Sequence, residues 1–239
     1  MDNMNYNLKL IKREEICRDT YGLYFDIKNS GFDFKAGQFV QVSIPGFIAA
    51  DGKDNQRYYS IANAPGESDF IEIIIRKSGS DFSNHVVNIP LGSELSFGEA
   101  RGEIKSENIK DNTVFIAGGT GITPVRSILK DFQNKHINKH LTLFYSNRSR
   151  EYAAFINELT TLGIEKKDFT FIPIFEDEEN YEELKSENGF FSEEIFKKYI
   201  SEPLNHFYYV TGPPLMLSEA IKVLVNAGVP DDKIFIERV

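Results

Sequence analysis

Several things are scarce in this chain, and each scarcity excludes something. Cysteine occurs once, at Cys17. That rules out an intrachain disulfide, a cysteine-rich zinc site and a four-cysteine iron–sulfur cluster, and a reducing cytoplasm is the expected compartment. No apolar run approaches the roughly 20 residues that a membrane span requires. The start, MDNMNYNLKL, lacks a basic region followed by an apolar stretch, so no signal peptide is expected. Basic residues are outnumbered: 27 Lys and Arg against 36 Asp and Glu leave a formal net charge of −9. The excess is shared, 13 against 16 over residues 1–110 and 14 against 20 over residues 111–239. Such a surface offers no electrostatic footprint for nucleic acid. Histidine is also rare. His136 and His140 stand four apart in NKHINKH, but a zinc site needs a third ligand and none is signalled nearby. No metal is expected, and the pair reads as a solvated helix end.

What is present is ordinary for a globular protein: 239 residues, 41% apolar and 26% charged, enough for one large domain or two small ones. The two halves differ in period. Up to about residue 110 the chain offers short runs rich in β-branched and aromatic residues: YGLYFDIK, GQFVQVSI, RYYSIANA and DFIEIIIRK. The turn clusters KNSGFDF, PGFIAADGKDN and APGES bound them. This predicts an antiparallel sheet or small barrel. After a short polar join at residues 106–112, apolar strands alternate with helices. The strands are TVFIAGG, LTLFYSN, FTFIPIFE, FYYVTG and KIFIERV.

The helices show a 3.6-residue period: Val125, Ile128, Leu129 and Phe132 in one, Tyr152, Phe155, Ile156 and Leu159 in another. Ser192 reads as an N-cap, and the helix opened by PPLM closes at Gly228. Strand–helix alternation predicts a parallel sheet with helices on both faces, a nucleotide-binding architecture. The boundary is expected between residues 108 and 109. The acidic run over residues 176–183 is expected to be an exposed loop.

FIAGGTGITP, residues 115–124, ends one of these strands. Thr123 is expected as N-cap and Pro124 as first helical residue. Gly118, Gly119, Thr120 and Gly121 then lie between the carboxyl end of a strand and the amino end of a helix. Backbone N–H groups and the helix dipole there favour an anion, and bare glycines admit a pyrophosphate. Close packing of the turn alone is the other reading. A second turn, Thr211-Gly212-Pro213-Pro214 with Met216 following, closes another strand at the same edge. In the first half, Arg57-Tyr58-Tyr59-Ser60 brings together a cation, aromatic rings and a hydroxyl able to meet a phosphate and a heteroaromatic ring. Ser83 is expected as the N-cap of a short helix after Arg76, a second anion site.

These motifs, with Gly79 to Ser83, YSNRSREYAAF and Glu237, come in the order and spacing of the ferredoxin–NADP reductase superfamily. Over nearly its whole length the chain resembles that family's FAD- and NAD(P)-binding core, which implies an antiparallel Greek-key β-barrel followed by a parallel-sheet nucleotide-binding domain with helices on both faces. The resemblance implies that Arg57 meets the flavin phosphates, Tyr59 stacks on the ring and Ser60 approaches its N5. Tyr58, Ile74 and Arg76 join the cofactor-binding set, and Ser83 meets the pyrophosphate. The GGTGITP loop would hold the pyrophosphate of NADH or NADPH. Thr211, Gly212, Pro213 and Met216 would line the nicotinamide, with Glu237 beside it, and Ser60 and Glu237 become the catalytic candidates. Ser146 joins the cofactor-binding set, and Arg148 and Arg150 follow the second strand of the parallel sheet, where the family meets the adenosine ribose. Arginine there suits a 2′-phosphate, whereas Glu176 and Asp177 oppose one, and the balance leans to NADH.

The chain departs from the family where a Gly-Pro-x-Gly turn would stand; it has Glu99-Ala100-Arg101-Gly102. Thr211 also stands where cysteine is common. The chain stops at Glu237-Arg238-Val239 without a terminal aromatic, so the flavin face is expected to be open or covered only by Arg238. An iron–sulfur partner is expected to be a separate protein. The implied function is hydride transfer from NAD(P)H to bound FAD, then electron transfer to ferredoxin, flavodoxin or an oxygenase component. The alternatives are a reductase of free flavin and a non-catalytic interaction subunit.

Overall fold

The computed structural model describes residues 5–48, 55–77, 80–177 and 184–237. Residues 49–54 of the second turn cluster, Gly79, residues 178–183 of the acidic run, Arg238 and Val239 lie outside the described residues. The chain divides into two compact units. One takes Met1–Glu107 and Thr123–His136, the other Asn108–Ile122 and Ile137–Arg238.

The first unit holds strands β1 (Tyr6–Cys17), β2 (Thr20–Asp26), β3 (Phe39–Ser43), β4 (Gln56–Ser60), β5 (Phe70–Arg76) and β6 (Glu94–Phe97). They form one sheet in the order β4-β3-β6-β1-β2-β5, with every pair antiparallel. Just past β4, Ile61 bridges to Ile73 of β5. The two edge strands therefore meet and the sheet closes on itself, leaving no long unpaired edge. Alternation fills the interior: Ile71, Ile73 and Ile75 of β5 join Val40, Val42, Leu8, Leu10, Phe25 and Phe97 in one cluster. Helix α1 (Asp81–Asn88) adds Phe82, Val86 and Val87 to that cluster. The sequence pattern missed β1 and β6. Charges at Lys12, Arg13, Glu14 and Glu15 mask the outer half of β1, and β6 is only four residues long.

Helix α2 (Ile122–Asn134) follows the glycine-rich turn, and from Thr123 onward it belongs to the first unit. The predicted face of Val125, Ile128, Leu129 and Phe132 is buried throughout. On another face, Ser127 Oγ donates to the Asn63 carbonyl at 2.7 Å and accepts from the Gly37 N–H at 3.3 Å.

The second unit holds β7 (Thr113–Gly118), β8 (Leu141–Asn147), β9 (Phe169–Phe175), β10 (Glu187–Asn188), β11 (Phe207–Thr211) and β12 (Ile234–Glu237). All are parallel, in the order β10-β9-β8-β7-β11-β12. Helices α4 (Glu193–Tyr199) and α5 (Pro214–Asn226) share a core with Val114, Ile116, Phe144, Ile172, Ile174, Tyr208 and Val210. Helix α3 (Ile156–Glu165) meets β9 through Gly163 against Phe171, on the strand's opposite face. Helices thus cover both faces.

Ser192 caps α4 as expected, accepting from the Ile195 N–H at 3.2 Å, and Gly228 (φ 77°) ends α5. The EYAAFINEL expectation is only half met. Tyr152 lies in a short 3₁₀ turn, Phe155 adopts φ 60°, and the helix begins at Ile156. Likewise α2 ends at Asn134, so His136 (φ 54°) sits in a turn, and His140 lies 3.3 Å from Asp111. The two histidines share no helical face. Among the described residues, no helix is long and apolar enough to cross a membrane.

Candidate functional site

From β7 the chain builds outward through β8, β9 and β10, then returns to the other side of β7 with β11. This reversal is a topological switch point, and in open parallel sheets ligands bind at the strands' carboxyl ends there. The edge reads, in strand order, Glu237, Thr211, Gly118, Ser146 and Asn147. Thr211 pairs with Glu237 and with Ala117, and Gly118 pairs with Ser146.

The turn after β7 corrects the sequence reading. Thr123 is not the N-cap: a 3₁₀ turn over Gly119–Gly121 runs straight into α2, with Gly118 extended as the capping position. Pro124 still falls in the first turn, where a missing N–H costs no intrahelical bond. Gly119 adopts φ 54°, which glycine takes without a steric penalty. A side chain at Gly121 would place its Cβ 2.6 Å from the Thr211 carbonyl oxygen, and one at Gly118 would overlap Met216 Sδ. At these two positions the space is taken by the protein itself. The glycines let the β7 and β11 turns close against one another, so the close-packing reading holds there. Tyr145 braces the turn from within, its hydroxyl lying 3.2 Å from the Gly119 carbonyl.

Glu237 ends β12 with 6% of its surface exposed, and neither carboxylate oxygen has a hydrogen-bond partner among the described residues. Burial pushes its pKa up from the ordinary 4.5 to about 8. At neutral pH the group is mainly a neutral acid, able to donate.

At the opposite end of the edge, Ser146 Oγ, both amide atoms of Asn147 and Ser149 Oγ are buried without partners among the described residues. Arg148 is exposed. Its Nε lies 3.7 Å from Asp177 Oδ2, and its guanidinium carbon lies 5.8 Å from the Tyr152 ring centroid.

In the first unit, alternation splits Arg57-Tyr58-Tyr59-Ser60 between two faces. Arg57 and Tyr59 share a face against α1: the Arg57 guanidinium lies 5.1 Å from the Phe82 ring centroid, and Tyr59 lies nearly parallel to that ring at 6.5 Å. Burial raises the Tyr59 phenol pKa. Tyr58 faces outward, its hydroxyl on Gln41 Oε1 at 3.1 Å, while Ser60 is buried at the strand's end. Ser83 is not the N-cap of α1. Ser80 is, accepting from the Ser83 N–H at 3.2 Å, and Ser83 Oγ lies 2.7 Å from Ser80 Oγ. Arg76 Nε donates to Thr20 Oγ1 at 3.4 Å, and Ile74 is buried. In the departed turn, Arg101 exchanges two backbone bonds with Phe39, and Gly102 (φ 124°) lies against the Phe39 ring. A cation beside an aromatic ring, with a serine-capped helix start in the same unit, is a donor set suited to a flavin and its phosphates.

Sequence reasoning missed one buried cluster. Glu72, on the Ile74 side of β5, receives Arg126 at 2.9 Å and the Tyr24 hydroxyl at 3.0 Å, while its own N–H donates to Asn63 Oδ1 at 2.8 Å. The available signal was a lone acid inside the apolar strand FIEIIIR, which demands a partner. Asn147 and Ser149 were missed too, although they flank Ser146 and Arg148.

Residues 7–105 match the oxidoreductase FAD-binding domain, and residues 115–222 match the oxidoreductase NAD-binding domain. The reductase component of propane 2-monooxygenase from Mycolicibacterium smegmatis is 28% identical over 87% of this chain and 60% of its own length. A component of the Na⁺-translocating NADH-quinone reductase from Idiomarina loihiensis is 23% identical over 85% of this chain and 60% of its own length. The chain therefore spans about 60% of the length of these curated relatives. Among solved structures, a ferredoxin NADP⁺ reductase from Neisseria gonorrhoeae with bound FAD and NADP superposes with a TM-score of 0.81 at 20% identity, covering 98% of both chains. The closed antiparallel sheet and the parallel sheet with its switch point have the fold of that reductase, and the two matches show what the chain carries: an oxidoreductase FAD-binding domain followed by an oxidoreductase NAD-binding domain.

Proposed function

We propose that this protein is a cytoplasmic NAD(P)H-dependent flavoprotein reductase, with residues 1–108 as the FAD-binding domain and residues 109–239 as the NAD(P)-binding domain. One observation carries the reading most: Glu237, a buried acid without a partner among the described residues, ends its strand beside the Thr211 turn at the switch-point edge. An orphaned carboxyl there costs stability unless a ligand's polar group meets it.

Bound FAD supplies a ring that accepts two electrons and releases them singly or in pairs. Arg57 and the α1 start, with Ser80 and Ser83, hold its phosphates. Tyr59 lies along the ring, and Ser60 offers a hydroxyl at the reacting edge; Tyr58, Ile74 and Arg76 complete the lining. In the second unit the Gly118–Gly121 turn receives the dinucleotide's pyrophosphate on backbone N–H groups. Thr211, Gly212, Pro213 and Met216 border the nicotinamide, and Glu237 orients it by donating a hydrogen bond. Thr120, Thr123 and Pro124 shape the turn. Electrons leave to a separate protein, a ferredoxin, a flavodoxin or an oxygenase component. The reductase names of the relatives support that direction.

The test is purification followed by turnover with an artificial acceptor. We expect about one FAD per chain, retained on desalting because two anion-binding elements hold it, and oxidation of NADH or NADPH. Flavin lost completely on desalting would favour a reductase of free flavin. Tightly held flavin that nicotinamide cannot reduce would favour an interaction subunit.

A further inference from the structure

Resting on the reading of Ser60 as the hydroxyl at the flavin's reacting edge, we propose that Ser127 of α2 is a positioning residue for flavin reduction. It acts by stapling together the two backbone segments that carry Ser60 and its strand partner. Ser60 is the last residue of β4 and pairs with Phe39, the first residue of β3. Such ends open at little cost unless something ties them down. A hydroxyl at a reacting centre needs its backbone held to within about 0.5 Å of the productive geometry.

The backbone past Ser60 is tied on several sides, all within the first unit. The Ile61 N–H donates to the Gln38 carbonyl at 2.9 Å, and the Ala62 N–H to the Glu72 carbonyl at 2.8 Å. Asn63 reaches β5 with its side chain: Nδ2 donates to the Phe70 carbonyl and Oδ1 accepts from the Glu72 N–H, each at 2.8 Å. The carbonyls of Ala62 and Asn63 are taken by α2, where Arg126 Nη1 donates to the first at 3.0 Å and Ser127 Oγ to the second at 2.7 Å.

Ser127 reaches both segments at once. Its hydroxyl donates to Asn63, three residues past Ser60, and accepts at 3.3 Å from the N–H of Gly37, two residues before Phe39. One proton and free lone pairs let a single hydroxyl make both bonds. Ser127 is fully buried, so losing it leaves a buried carbonyl and a buried N–H short of a partner, and their backbones shift to recover one. Arg126 could not be used to probe the same tie cleanly, because its Nη1 also holds Glu72 at 2.9 Å. Removing it strands a buried charge; removing the neutral Ser127 hydroxyl does not. A residue that acts only through Ser60 has an effect capped by that of Ser60 itself. Once the Ser60 hydroxyl is gone, its placement no longer matters.

The experiment is a double-mutant cycle on the FAD-loaded protein, read by anaerobic rapid mixing with NADH or NADPH over a range of concentrations. Ser127→Ala should slow flavin reduction about fivefold, less than the roughly tenfold expected of Ser60→Ala. Flavin content and the half-saturating nucleotide concentration should not change. In the Ser60→Ala background the same substitution should cost less than about twofold. Ser127→Cys fills the space while weakening both hydrogen bonds, so it should reproduce the slowing even if alanine loosens the fold. Equal slowing by either variant in both backgrounds, no slowing by either, or loss of flavin in both would overturn the assignment of Ser127 while leaving the reductase reading intact. If neither nucleotide reduces the wild-type flavin, the reductase reading itself is wrong and the inference falls with it.

Discussion

Each of the two units buries a glutamate, and they treat it in opposite ways. Glu72, 3% exposed, sits inside the closed sheet's unit with a guanidinium, a phenol and an asparagine around it. Glu237, 6% exposed, ends the parallel sheet with no partner for either oxygen among the described residues. A buried carboxylate must be paired, or it gives up its charge. In the first unit pairing keeps the charge and ties strand β5 to helix α2. In the second, desolvation holds the acid neutral and leaves its hydrogen-bonding capacity unspent among the described residues. The partnered acid is committed to structure, whereas the orphan remains available to a ligand.

The sharpest way to break this comparison is to orphan the partnered acid. Arg126→Met leaves Glu72 without its cation and should cost about 3–5 kcal/mol of stability in urea denaturation. Replacing both Arg126 and Glu72 by Met should recover most of that loss, because no uncompensated charge then remains. A loss below about 1 kcal/mol in the single variant would show the pair to be effectively solvated.

The converse change is Glu237→Gln. It removes no hydrogen bond or ion pair observed among the described residues, so stability near neutral pH should hold or rise. Turnover should fall about 100-fold, the cost of misplacing the nicotinamide by about 1 Å, with flavin content unchanged. Loss of flavin would instead make the residue structural.

The same variant changes the pH dependence. The folded protein holds the Glu237 proton up to about pH 8, whereas the unfolded chain releases it near 4.5. Between those values the folded state binds the extra proton, so this contribution to stability is fully present below 4.5 and is lost as pH rises toward about 8. The steepest slope is about 1.4 kcal/mol per pH unit. Denaturation at steps across the window should show that slope in the wild type and not in Glu237→Gln.

The smallest effect belongs to a hydroxyl. Ser60→Ala should slow flavin reduction about tenfold, the upper end for one neutral hydrogen bond, measured by anaerobic rapid mixing. Flavin content should hold, since binding rests on Arg57 and α1. Equal loss of flavin and rate would place Ser60 among the binding residues only.

How far the sequence could be read depended on the range of the interaction. Strands β2 to β5 announced themselves by alternation, and β7, β8, β9, β11 and β12 by apolar runs punctuated by turns, because those signals lie within a few residues. The face of α2 and the Ser192 cap were legible for the same reason. Helix starts were less so. Thr123 and Ser83 are both plausible caps by residue type, but backbone entry displaced them: Gly119 let the chain turn earlier, and Ser80 took the capping position. β1 was hidden because its outer half is charged and is held by pairing with β2.

The sequence by itself determined the order of most elements, the change from antiparallel to parallel architecture and the place of the glycine-rich turn, since alternation, helical period and turn chemistry are local. Only the tertiary structure decided what those pieces meet. It brought Thr211 against Gly121, gave Glu72 its arginine 54 positions away, left Glu237 without a partner among the described residues, and set Asp177 beside Arg148. Burial and pairing arise between segments distant in the chain, and a carboxyl's charge depends on what surrounds it rather than on the residues beside it in sequence.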